Sequence, residues 1–306
     1  MDLKDAETTS LRAAPPASLP PQLPPLPEWP AVGERILDGA TTYRERTYKV
    51  ALGYRPLTLD LHVPEGTGPF PVAVYAHGGG FMLGTPVMGE WRMLLAMGIA
   101  VASIRYRLRD EAKHPEPLSD IVAAAGWVRA HAEEFGLDGG CVIGVGSSAG
   151  AYLIDTAALR FDVDGQPYAS GATNLFSAVI SFYAPTDFLA LADDAPADVL
   201  EQPGGPSSTE SLYLGYVPSS RPGDAAEAAI AANARSDAPP FLILHGDADT
   251  RVGVGQAYRL TRALHEAGAC AELHILSGAQ HGDPRFMTPE STAVVEAFLT
   301  AQLFDR

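Results

Sequence analysis

Ser148 stands at the centre of Gly146-Ser147-Ser148-Ala149-Gly150, between the apolar run CVIGV and the helix-prone AYLIDTAAL. A serine hydroxyl is scarcely ionised at neutral pH. To act as a nucleophile it needs a base to take its proton and a carboxylate to hold that base in the right tautomer. Strand, sharp turn, helix is the setting in which a GxSxG serine is lifted clear of a sheet edge, with a helix N-terminus beneath it. Small residues at 146 and 150 let the backbone turn that tightly. A Gly/Ser turn serving packing alone has the same pattern, and Ser147 is a competing hydroxyl at the variable position.

The chain offers base and acid in the order Ser, Asp, His. His281 lies in Gly278-Ala279-Gln280-His281-Gly282, after the last apolar run. Two carboxylates, Asp247 and Asp249, follow the run FLILHG; Asp249, further into its loop, is the expected partner of His281. Asp247, nearer the strand end, and Asp187, after the preceding strand, are the alternatives. His77-Gly78-Gly79-Gly80-Phe81 ends an earlier apolar strand, and its glycines allow backbone N–H groups to approach an oxyanion. Gly79 and Gly80, with Ala149 from the elbow, are the expected donors. His77, His245, His265 and His274 read as structural, and His114 and His131 as surface residues. Phe81, Trp91, Tyr152, Phe188 and Tyr216 could form an aromatic pocket, with core packing the competing role for each.

These groups need a scaffold that gathers loop ends. Beyond Tyr43, β-rich runs alternate with helical stretches. Strands are expected at 46–53, 57–63, 71–77, 99–105, 140–146, 177–183, 241–246 and 271–277. Several of these runs are apolar at successive positions, as strands buried on both faces are. Helices are expected at 87–97, 117–135, 149–161, 254–267 and 288–303. Ile121, Ala124, Ala125, Val128 and Ala132 recur at helical spacing in the second. This order predicts an α/β fold with a mostly parallel, eight-stranded, doubly wound sheet. The connection 185–239, between strands 6 and 7, is too long for the rhythm and is expected as a lid over the strand ends. Residues 1–42, proline-rich over 13–30, read as an N-terminal arm and 43–306 as the α/β domain.

The net charge is −16, from 37 acidic and 21 basic residues, which disfavours nucleic acid and anionic membranes as partners. It suits neutral or cationic small molecules. No apolar stretch is long enough to span a membrane, and the acidic, polar opening MDLKDAETTS lacks the apolar core of a secretion signal, so a cytoplasmic protein is expected. Cys141 and Cys270 are too few for a disulfide framework and are expected as buried thiols. No Cys or His cluster has metal spacing and no GxGxxG opens the first βα unit, so neither metal nor organic cofactor is expected. A homodimer is compatible with the pattern.

The pieces HGGGF, IRYRL, the helix bearing Asp120 and Trp127, VGSSAG, SLYLG, APPFLILHGDADTRV and GAQHG resemble the α/β-hydrolase esterases. The resemblance is to the hormone-sensitive-lipase-like and bacterial feruloyl-esterase-like (BD-FAE) carboxylesterases, over residues 57–300. LILHGDADTRV is closer to the second branch; Arg109-Asp110-Glu111 after Tyr106-Arg107-Leu108 departs from the YRLAPE of the first. The resemblance implies a serine-dependent hydrolase of short-chain or aryl esters working through an acyl-enzyme. An amidase or peptidase of the same fold uses the same triad, and a non-catalytic binding protein would be marked by a lost triad member.

Overall fold

Runs of β-branched and small apolar residues make the middle of the sheet. In a computed structural model that describes residues 32–50, 55–195 and 203–304, these runs pair into nine strands among the described residues. They are β1 (Glu34–Leu37), β2 (Ala40–Lys49), β3 (Leu57–Pro64), β4 (Phe70–Ala76), β5 (Ala100–Ile104), β6 (Leu137–Ser147), β7 (Ala178–Phe182), β8 (Phe241–Gly246) and β9 (Ala271–Leu276). The order across the sheet is β1-β2-β3-β5-β4-β6-β7-β8-β9. Pairing from β5 through β9 is parallel, whereas β1, β2 and β3 add antiparallel to the β5 edge.

Every residue of β5, β7 and β8 is buried. Helices cover these strands, so a side chain on either face of the pleat meets protein. The helices are α1 (Arg92–Ala96), α2 (Leu118–Ala130), α3 (Ala132–Phe135), α4 (Ala149–Arg160), α5 (Leu191–Asp194), α6 (Thr209–Leu214), α7 (Pro222–Ala228), α8 (Gly255–Glu266) and α9 (Pro289–Leu299). One core layer gathers Tyr75, Val101, Ile143, Ile180, Leu242, Phe286 and Phe298. Arg107, in the segment after β5, is clamped to Asp120 of α2, its Nε 2.9 Å from Oδ2 and one terminal nitrogen 2.9 Å from Oδ1. Lys49 reaches the same carboxylate at 2.7 Å.

The chain leaves β4 for β5 on one side and returns to β6 on the other, so the strand order reverses between β4 and β6. A crevice opens at such a reversal, outside the carboxyl ends of the strands. The loops after β4, β6, β7, β8 and β9 all reach that edge.

The structure departs from the sequence reading in several places. The sheet has nine strands rather than eight, because β1 pairs with β2 inside the stretch expected as an arm. ERIL carried no strand signal: it is four residues long and largely exposed, so no core demanded alternation from it. The expected helix 87–97 shortens to α1, because residues before it turn back toward the strand ends. Cys270 is exposed and Cys141 only partly buried, since the first lies just outside edge strand β9 rather than in the sheet. The proline-rich stretch 13–30 and residues 51–53 of the first expected strand lie outside the described residues.

Candidate active site

The nucleophile elbow forms because β6 runs into α4 with no room for a loop. Ser148 takes φ 52° and ψ −120°, a backbone that L side chains rarely adopt. The turn closes on its own flanks. A Cβ on Gly146 would lie 2.6 Å from the Ala151 backbone, and one on Gly150 would lie 2.1 Å from the Ala76 carbonyl oxygen. Those approaches explain why both positions must lack a side chain. The Ser148 N–H donates to the Phe182 carbonyl at 2.9 Å, which ties the elbow to the neighbouring strand.

His281 comes from the loop after β9 and its Nε2 is 2.9 Å from Ser148 Oγ. Its Nδ1 lies 2.7 Å from Asp249 Oδ2, in the loop after β8. A carboxylate can only accept here, so Nδ1 carries the hydrogen and Nε2 is left to receive the serine proton. Asp249 is buried, and its Oδ1 accepts the Arg251 and Val252 N–H groups at 2.8 and 2.9 Å. Burial pushes its carboxyl up. Hydrogen bonds from His245 and His281, the His281 charge and the Val252 N–H outweigh that effect and hold it well below the usual carboxylate range.

The two alternative acids have other tasks. Asp247 accepts the Gly278 N–H and pins the His281 loop from its base. Asp187 accepts the Leu189 and Ala190 N–H groups in its own turn. His245 is fully buried and its Nε2 donates to the Val252 carbonyl at 2.8 Å, with Asp249 Oδ2 3.4 Å away. His77 stacks on Tyr106 at 4.6 Å, and its Nδ1 lies 2.8 Å from the Gly78 carbonyl. Burial lowers its pKa, so it remains a neutral structural group.

Gly79 and Gly80 hold φ 120° and 62° and line the crevice with Ser148, Ala149 and His281. The Gly79 carbonyl is taken by the Met82 and Leu83 N–H groups. Among the described residues, the N–H groups of Gly79, Gly80 and Ala149 donate to no backbone acceptor, although all three border the cavity beside the serine. Unspent backbone donors at a helix N-terminus and in a glycine turn are what a developing oxyanion needs.

The cavity has a volume of about 850 Å³. Its far wall comes from the 185–239 segment, through Pro185, Phe188, Leu191, Pro203, Ser208, Thr209 and Glu210. Of the five aromatic residues expected in a pocket, Phe81 and Phe188 line the cavity, and three do not. Trp91 turns beneath the sheet to stack on His62 at 4.5 Å. Tyr152 faces away and donates to the Ala228 carbonyl at 2.8 Å. Tyr216 borders a separate small hollow and carries the Arg221 guanidinium over its ring. Tyr213 of the 185–239 segment stacks on Phe81 at 3.9 Å and braces it from behind.

Sequence reasoning also passed over Glu90 and Tyr183, which line the cavity. A glutamate in an expected surface helix, 87–97, reads as solvated, and the neighbouring tryptophan gave the sole local hint. Among the described residues no three His, Cys, Asp or Glu side chains gather as a metal site requires.

The BD-FAE family model matches residues 59–264. The probable carboxylic ester hydrolase LipM of Mycobacterium tuberculosis is 30% identical over 229 residues, covering 72% of this chain and 50% of that protein. Esterase LipC of the same organism is 27% identical, with 83% and 65% covered. The chain thus spans between half and two thirds of the length of these relatives. Among solved structures, a truncated carbohydrate esterase from gut microbiota superposes with a TM-score of 0.74 at 23% identity, over 86% of this chain and 96% of that one. Esterase 2 of Thermogutta terrifontis, with propionate bound, gives 0.65 at 23% identity, over 87% and 96%. These likenesses fix the α/β-hydrolase fold, and the family match over most of the sheet and its crevice makes this chain a member of the BD-FAE family.

Proposed function

We propose that the protein is a serine-dependent carboxylic-ester hydrolase acting on short-chain or aryl esters. One observation carries this reading: Ser148, His281 and Asp249 stand in an unbroken relay of 2.9 and 2.7 Å, facing three unspent N–H donors across the same cavity. The relatives named esterase and carboxylic ester hydrolase support it.

His281 Nε2 removes the Ser148 proton as Oγ attacks the ester carbonyl. Negative charge gathers on the carbonyl oxygen, where the N–H groups of Gly79, Gly80 and Ala149 receive it. Each such donor is worth roughly 3 kcal/mol in the transition state. Asp249, held ionised by its hydrogen bonds, stabilises the imidazolium that forms. The imidazolium gives its proton to the leaving alkoxide, and the acyl-enzyme remains. A water molecule, deprotonated by His281, then releases the acid and restores Ser148. The chemistry needs no cofactor. The 185–239 segment acts as a lid-like wall that shapes the acyl and alcohol subsites.

The test is hydrolysis of p-nitrophenyl acetate, butyrate and octanoate beside Ser148→Ala, with mass-spectrometric detection of a phosphonate label. Turnover that vanishes in the variant, with label on Ser148, is the expected result. Absence of both turnover and label sinks the proposal, and label without ester turnover transfers the mechanism to amides.

A further inference from the structure

Glu90 is an acid of the cavity wall that the relay does not use. It is 8% exposed, and two phenols take up its carboxylate. Tyr183 Oη donates to Oε1, and Tyr75 Oη lies 3.4 Å from Oε2. Tyr75 Oη is also 2.7 Å from Oγ of Ser147, the residue before the nucleophile. The Tyr183 ring meets the His281 imidazole edge to face, with centroids 4.7 Å apart and planes at 64°. One carboxylate therefore reaches the neighbour of the nucleophile and the packing partner of the base.

The local structure keeps this network taut. Burial, and then the Glu90 charge, raise the pKa of both phenols well above the ordinary value, so both remain donors. Tyr183 holds φ 41°, where a tyrosine needs outside support; its N–H donates to the Leu244 carbonyl at 2.8 Å, and its hydroxyl is tied to Glu90. On the other side, a Cβ at Gly89 would lie 1.6 Å from Tyr75 Oη, so the loop bearing Glu90 is pressed against that hydroxyl. A buried carboxylate is costly to leave unpaired, and here hydrogen bonds from phenols compensate it rather than a cation.

We infer that Glu90 is a positioning residue: through Tyr183 it fixes the His281 ring, and through Tyr75 and Ser147 it fixes the elbow, so that base and nucleophile keep their reacting distance. This rests on the serine-hydrolase reading above. Reaction rates fall steeply when reacting groups are slightly misplaced, whereas ground-state binding of a small ester depends little on that placement.

The experiment compares wild type with Tyr183→Phe, Glu90→Gln, Glu90→Leu and the double variant Tyr183→Phe/Glu90→Leu on p-nitrophenyl acetate. Active sites are titrated with a p-nitrophenyl phosphonate, so that kcat is counted per reactive Ser148, and thermal unfolding is recorded alongside. The kcat of Tyr183→Phe is expected to fall about tenfold and that of Glu90→Leu about thirtyfold, with KM within about threefold of wild type. The double variant is no worse than Glu90→Leu, because both changes cut one link. Glu90→Gln, whose amide oxygen still accepts from Tyr183, recovers most of the loss. Unchanged kcat per titrated site in Tyr183→Phe and Glu90→Leu overturns the inference, even if the melting temperature drops, because packing alone then accounts for the network. Losses that multiply in the double variant overturn it too. Should Glu90→Leu not fold, Tyr183→Phe decides alone, since it keeps the ring. A wild type that neither labels nor turns over ester fails the serine-hydrolase reading itself, and this inference with it.

Discussion

The two walls of the cavity are built by different means. On the strand side, each reacting group sits within a few residues of a buried parallel strand: Ser148 directly after β6, Asp249 three residues after β8, His281 five residues after β9. Ladder register sets these positions, so the relay inherits the stiffness of the sheet. The opposite wall comes from short helices and turns in the 185–239 segment. It is attached mainly through side chains, Asp194 to Gln256 and Arg259 of α8 at 2.7 and 2.8 Å and Tyr213 stacked on Phe81, with the His114 N–H donating to the Tyr213 carbonyl. On the proposed reading, chemistry falls to the wall built on the sheet and substrate shape to the wall built from the insertion.

This contrast can be broken most sharply at the serine. Ser148→Ala is expected to lower kcat roughly 10⁵- to 10⁶-fold, measured with p-nitrophenyl acetate, while the melting temperature stays within a few degrees. Next comes Asp249→Asn. The neutral amide no longer holds the Nδ1–H tautomer, and kcat should fall about 10⁴-fold with KM little changed. Gly79→Ala would place a Cβ 2.0 Å from the Leu83 carbonyl oxygen, which shifts the turn and its donors. A loss of roughly 10²- to 10³-fold in kcat is expected, the effect of removing an oxyanion donor.

Beneath the elbow, Asp155 of α4 probes stability rather than rate. It is fully buried with Oδ2 2.6 Å from Ser181 Oγ, and burial pushes its carboxyl up to about 8 despite that hydrogen bond. A raised carboxyl favours the protonated fold. Its stabilising contribution is full below the unfolded value of about 4 and is lost as pH climbs toward the folded value. From pH 5 to pH 8 the unfolding free energy, read from denaturant titrations, should therefore fall further in wild type than in Asp155→Asn, by on the order of a few kcal/mol. Equal falls would place the proton elsewhere. The smallest effect belongs to the rebuilt wall: Phe188→Leu should change the octanoate to acetate ratio by about three- to tenfold while kcat on acetate moves less than about threefold. A hundredfold loss on acetate would show that the two walls are not separable.

What the sequence disclosed follows the same division. The meeting of Ser148, Asp249 and His281 beside the glycine turn was readable because their neighbours within five residues, strand end, small residue or turn, already state the local geometry. The parallel core was readable because strands such as AVISF and FLILHG are apolar at successive positions. The direction of an aromatic ring is not local. Trp91 and Tyr152 looked like pocket residues, yet the sheet took one onto His62 and a backbone carbonyl took the other. Glu90 went unnoticed for the converse reason: its burial depends on phenols 15 residues before it and 93 residues after it. β1 escaped because an exposed edge strand has no core face to impose a pattern.

Gly150 carries one last consequence. With its missing Cβ only 2.1 Å from the Ala76 oxygen, the elbow rests directly on the strand end from which the glycine turn departs. Ser148 and the glycine turn, the proposed nucleophile and oxyanion donors, are thus spaced by contact, as two gears are by their shared axle plate, and not by any adjustable side chain. Substitutions cannot tune that spacing in small increments: the smallest available step at position 150, a methyl group, already exceeds the clearance. Laboratory selection on this scaffold should therefore accumulate changes across 185–239 and leave position 150 invariant, even when the selected ester is new.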